Sequence, residues 1–258
     1  MQDTFYFKTL RLWIQGILLF CLRWAQLKNG FDPVTGLARS SLPGTILVAA
    51  IVFLAAVEIV LAFKSPKGKY IYENSFASLG QKHLPFIAAG SLLLCAGGVL
   101  LPGWNLLECL TAAAGAAAAV GVIVFVRQVR GGGTPRSYPL LPAMAFSVLF
   151  VLEVYLPHDS SPVLESYYLQ VLTAAMIACT FYQLAGFPCG QASMRWFRIF
   201  GNLAVPLSIA CLAGSIGTWG EFLIDLGCAL MITVFLSLRL ADASPEAEDT
   251  EESAEGTE

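Results

Sequence analysis

Three acids stand inside long apolar runs of this chain: Glu58, Glu153 and Asp225. An aspartate at the centre of a membrane-spanning helix costs roughly 2.5–3.5 kcal/mol on insertion scales, so a carboxylate in such a run asks for a reason. One reason is chemistry, because a desolvated carboxylate can hold a proton or a cation. The other is a carboxylate near the membrane interface that reaches water or an arginine. Glu58 falls five or six residues from the inner end of its run, and Glu153 and Asp225 fall near the outer ends of theirs. The depths do not match and no base accompanies them within a run, which favours the second reason.

The other reactive types are less suggestive. His83 and His158 lie between runs and make no H-E-x-x-H spacing or similar ligand set. The seven cysteines, Cys21, Cys95, Cys109, Cys179, Cys189, Cys211 and Cys228, sit in or beside apolar runs with no C-x-x-C pair. They read as small apolar packers, and their odd number argues against a complete disulfide set. Ser215 in Gly-Ser-Ile-Gly has a faint likeness to a G-x-S-x-G serine site, but the second glycine is misplaced and no run holds a histidine base. No catalytic, cofactor-binding or metal-binding signature emerges, so an enzyme is the least favoured class.

What must position these residues is an apolar ribbon from Pro43 to Arg239, broken by short, mostly basic interruptions. The 258 residues are 57% hydrophobic and 13% charged, with a mean hydropathy of +0.69. A soluble domain carries about a quarter charged residues. Spanning helices need about 20 residues each, so the length fits one all-α polytopic bundle of about eight spans over residues 1–240. Residues 241–258 hold eight of the eighteen acids, with Ala and Ser between them, and predict a disordered acidic tail on the cytoplasmic side. Without the tail, fifteen basic and ten acidic residues leave a body of net charge +5. Its cations are scattered over loops rather than gathered in a patch, which argues against nucleic acid and for a lipid bilayer as the partner. A membrane-protein partner or a second copy of the chain stays open, and the sequence names no substrate.

The runs predict helices over 5–28, 44–63, 85–101, 107–126, 140–156, 164–187, 199–216 and 220–238. The first is interrupted by Lys8, Arg11, Gln15 and Arg23, so it is either a span with snorkelling ends or an amphipathic helix in the interface. Asn29-Gly-Phe-Asp-Pro-Val-Thr-Gly-Leu37 then has the turn chemistry to reverse the chain. Over residues 10–60 the sequence resembles a group of uncharacterised bacterial multi-pass membrane proteins in which a GFD-x-x-TGL-like segment joins the first two helices. The resemblance implies a fold and a membrane location and no reaction.

Orientation follows from the basic residues, which are retained on the cytoplasmic side. Eight spans with both termini inside place twelve of the fifteen Lys and Arg inside and only Arg23, Lys28 and Arg39 outside. Leaving the first helix uncrossed moves Lys8 and Arg11 outside as well, which favours the span in a cell membrane. Trp104, Trp196 and Phe197 suit the headgroup level.

Two packing features remain. In the fourth helix Ala113, Ala117 and Gly121 form a small-residue stripe, expected to receive the third helix, with Val122 toward lipid. In the seventh, Pro206 is placed to kink the helix. The number of spans, Pro206 and the three acids point to a small transporter, permease or transport accessory. The alternative is a non-catalytic scaffold or sensor acting through its basic loops and acidic tail.

Overall fold

The computed structural model describes residues 2–31, 42–64, 83–101, 105–130, 136–156, 164–189 and 191–241. Within them run eight α-helices: α1 (Gln2–Asn29), α2 (Leu42–Lys64), α3 (Leu84–Val99), α4 (Leu106–Arg130), α5 (Leu141–Tyr155), α6 (Leu164–Gly186), α7 (Met194–Cys211) and α8 (Trp219–Ala241). A 3-10 turn, Tyr138–Leu140, leads into α5, and another, Phe187–Cys189, closes α6. The described chain is all-helical. Five helices, α2, α4, α5 with its lead-in, α6 and α8, are long and apolar enough to cross a membrane, and α3 is apolar but shorter. The turn over 32–37, Arg39, Lys67, Lys69, Lys82, Trp104, His158 and the acidic tail from Asp242 lie outside the described residues.

Neighbouring helices close a ring in the order α3, α4, α5, α6, α7, α8 and back to α3, while α1 and α2 pack on each other and against α7. Five fully buried phenylalanines fill one half of the ring, one from each helix: Phe125 on α4, Phe146 on α5, Phe181 on α6, Phe197 on α7 and Phe235 on α8. Phe125 and Phe235 meet at 6.3 Å between centroids and 60°, within the range that aromatic pairs favour. This half of the ring is an apolar plug. The bundle's outer surface keeps large apolar side chains such as Val52, Phe53 and Leu92 exposed, as a lipid-facing surface does.

The closure between α3 and α8 rests on glycine. A methyl built on Gly97 would stand 2.7 Å from the carbonyl oxygen of Gly220, and one on Gly227 would stand 2.8 Å from that of Gly90. Two glycines seven apart on each helix therefore face each other in antiparallel register. In lipid there is no hydrophobic drive to bring two helices together, so such close van der Waals approach of backbones is what holds them.

α1 runs parallel to α7 along its length. Gly16 on α1 abuts Ile209, which a methyl at Gly16 would meet at 2.5 Å; on one side of this contact Arg11 and Asn202 share Glu58, and on the other Arg23 lies within electrostatic reach of Cys211, so the pairs follow the same order on both helices. Arg23, near the far end of α1, is buried, donates to Gln26 Oε1 at 2.7 Å and lies 5.8 Å above the Tyr168 ring of α6. Exposed tryptophans mark both ends of the bundle. Trp24 and Trp219 stand at one end, with the Lys28 ammonium 4.0 Å over the Trp24 ring, and Trp196 stands at the other.

Four expectations need correction. The seventh helix spans Met194–Cys211, five residues earlier than the apolar run suggests, because Arg195 and Arg198 do not stop it: Arg195 lies over the Phe63 ring at 5.6 Å. Phe197 is no headgroup anchor but is fully buried, edge-on to Phe187 at 5.3 Å. Ala113 and Ala117 point outward, whereas Val122 is fully buried, because the inward face of α4 is set by Thr111, Gly115, Ala118 and Val122. Gly121 alone of the stripe is buried, under the Pro139 carbonyl, and α3 meets α4 through Gly98 against Ala112. Of the cysteines, only Cys211 and Cys228 are buried packers, while Cys21, Cys109 and Cys189 are exposed.

Candidate functional site

The sequence-identified acid Glu58 turns out to be almost fully buried, in the last two turns of α2, where every neighbour along the helix is apolar. Burying a carboxylate in such surroundings is costly unless it is paired and hydrogen-bonded. Both conditions are met from other helices. Arg11 Nη2 of α1 donates to Glu58 Oε1 at 2.6 Å, and Asn202 Nδ2 of α7 donates to Glu58 Oε2 at 2.7 Å. The reading that no base accompanies the acids is thereby corrected. The base comes from another helix, whose position the local sequence does not show.

This triad forms part of the wall of a cavity of about 260 Å³ between α1, α2, α7 and α8. That is near the lower end of the range of roughly 300–1,000 Å³ for small-molecule sites. Among the described residues the remaining polar lining is Thr9, Arg198, Thr233 and Ser237, between apolar walls that include Leu12, Leu61 and Leu236. Two lining groups are buried without a partner among the described residues: Arg11 Nε and Thr233 Oγ1. With both Glu58 oxygens engaged, the carboxylate holds Arg11 and Asn202 in place rather than standing ready as a base. Among the described residues the lining holds the guanidiniums of Arg11 and Arg198 and the carboxylate of Glu58.

Just beyond the cavity α7 is chemically interrupted. Pro206 lies inside the helix and has no N–H to give to the carbonyl of Asn202, four residues earlier. The backbone of one of the site's own residues therefore lacks its helical donor.

No family model, curated protein or solved structure matches the chain. The site is accordingly read from its residues alone.

The other two acids do not join Glu58. Glu153, half-buried at the end of α5, and Asp225, almost fully buried on α8, lie toward the opposite end of the bundle, each within electrostatic reach of Glu221. Glu221 Oε2 accepts from Gln170 Nε2 at 2.9 Å and from Thr218 Oγ1 at 3.1 Å, while Glu153 Oε2 is buried without a partner among the described residues. Among the described residues no group of three or more His, Cys, Asp and Glu is placed to hold a metal ion. Ser215 is buried and its hydroxyl is spent on the Cys211 carbonyl at 3.2 Å.

Arg11, Asn202, Arg198 and Thr233 were not singled out in the sequence. A signal existed for one of them. Alternating helix directions put the start of α1 and the end of α2 at one end, so Arg11 and Glu58 belong at matching depth.

Proposed function

We propose that this chain is a multi-pass cell-membrane protein with eight spans and cytoplasmic termini, acting as a small transporter, permease or transport-accessory subunit. The observation that carries the reading is the polar cavity built among four helices of the bundle, with a buried Arg11–Glu58–Asn202 network on its wall. Ionisable groups are retained within spans chiefly for function, and an interrupted helix beside them is what substrate sites in transporters use. Pro206 supplies that interruption in α7.

The parallel alignment of α1 with α7 supports counting α1 as a span, since a helix lying in the interface would cross the bundle axis rather than follow it. The basic end then faces the cytoplasm. The resemblance of residues 10–60 to the bacterial group with the GFD-x-x-TGL-like segment accords with this topology.

Flux tests the reading. The purified full chain, reconstituted in liposomes, is exposed to gradients of small neutral, cationic and anionic solutes. Flux above protein-free liposomes that disappears in Asn202→Leu supports it, and no flux of any solute refutes it in favour of the scaffold reading. A reporter active only outside the cytoplasm, fused after Leu37, is expected to be active.

A further inference from the structure

We propose that Asp225 of α8 is a proton-binding site, loaded and unloaded through Glu221 from the end of the bundle that Trp24 and Trp219 mark. Taken with the transport reading, on which this second step rests, the bound proton is the coupling ion.

A carboxylate buried in apolar surroundings needs a cation or hydrogen-bond donors. Asp225 has neither. It is 3% exposed, and among the described residues no hydrogen bond reaches its carboxyl. The helices packed on α8 bring it no cation. α3, the main neighbour, holds no charged residue, and α7 presents Cys211, a thiol like Cys228 on the next turn of α8. Arg23 of α1 lies within electrostatic reach of Cys211 and donates to Gln26. Among the described residues the charged group within reach of Asp225 is Glu221, of like sign. A carboxyl so placed keeps its proton, because nothing around it stabilises the anion. Glu221 is differently placed. It is only partly buried, its Oε2 accepts from Gln170 and Thr218, and its Oε1 is unengaged among the described residues. Residues four apart stack on one face of a helix, so Glu221 stands between Asp225 and the end of α8. Glu153 of α5 reaches Glu221 in turn, and Glu108 of α4 reaches Glu153, so the charges facing this route among the described residues are all acidic. On release the Asp225 O–H breaks, and its proton passes to the Glu221 carboxylate and then to water. Loading reverses the step, and no electron moves.

The test is an infrared pH titration of the full-length protein in lipid, which separates the C=O stretch of a protonated carboxyl from the carboxylate and amide bands. The stretch is expected at neutral pH, lost on alkaline titration and absent from Asp225→Asn. Glu221→Gln, at a partly exposed position, covers the case in which Asp225→Asn does not fold. Without the like charge the Asp225 anion forms more readily, so the stretch should be lost at lower pH, and exchange of its proton for deuterium should slow because the way out is blocked. Absence of the stretch at neutral pH, or a stretch that persists in Asp225→Asn and is lost in Glu153→Gln, overturns the site. Titration and exchange unchanged in Glu221→Gln overturn its route. In liposomes a pH gradient should drive flux that Asp225→Asn abolishes. The stretch without any flux upholds the proton site and refutes the transport reading. Flux indifferent to the gradient, in a protein that shows the stretch, refutes the coupling and leaves site and transport standing. Flux without the stretch overturns the site and leaves transport standing.

Discussion

Arg11 on the first helix and Glu58 on the second, 47 positions apart in sequence, meet at 2.6 Å with the carboxylate almost fully buried and the guanidinium partly open. The pair ties α1 to the bundle at the point where the cavity begins. Removing one member strands the other. Arg11→Met leaves Glu58 Oε1 buried and unpaired, a change that typically costs about 3–5 kcal/mol. The double variant Arg11→Met, Glu58→Leu should lose less than Arg11→Met alone, because no orphan charge remains. Unfolding in mixed micelles, compared across the double-mutant cycle, measures the coupling, and simple additivity would show that the two side chains do not interact.

The glycine seam between α3 and α8 predicts a sharp contrast between two conservative changes. At Gly97 a methyl would meet the Gly220 carbonyl oxygen at 2.7 Å, and at Gly217 it would meet nothing within 4 Å. Gly97→Ala should therefore destabilise by about 1–3 kcal/mol, the usual range for overpacking, and Gly217→Ala should stay within about 0.5 kcal/mol. Melting of the two variants in detergent decides the matter.

On α4 the expected order of effects is Val122 before Ala117. Val122 is fully buried while Ala117 is exposed, so Val122→Ala should cost roughly 1 kcal/mol or more and Ala117→Leu should be nearly silent. A larger loss in Ala117→Leu would mean that a second molecule covers that face.

Pro206→Ala should restore the missing N–H to the carbonyl of Asn202. A proline inside a helix costs about 3 kcal/mol, so the variant is expected to melt higher. If the interruption serves the site, flux falls as stability rises. Equal flux with higher stability would make Pro206 a packing residue only.

How much of this was legible beforehand depends on the kind of interaction. An apolar run of about 20 residues bounded by charge has few fates, so α2, α4 and α6 lie close to where the runs place them. α7 does not, because two arginines read as a stop when they in fact belong to its first turns. The small-residue stripe on α4 was visible, but spacing alone does not say which face of a helix is turned inward. The pairs Gly90 with Gly97 and Gly220 with Gly227 carry a seven-residue spacing that identifies the real seam, yet one helix shows only half of the match. The cavity was hidden most completely, since it draws two or three residues from each of four helices, and only the bundle brings them together.

The ring's closure also bears on how the protein is made. Both α1 and α3 find principal partners, α7 and α8, late in the sequence. During synthesis α3 would wait with its glycine face bare, and α1, though Arg11 already has Glu58 and Arg23 has Tyr168, would lack the α7 face against Gly16. A ribosome stalled after α6 would thus hold α3 to α6 packed in sequence and α1 on α2, with neither α7 nor α8 yet joining the two groups. Assembly is completed when α7 and α8 arrive, and the cavity comes into being in that same step.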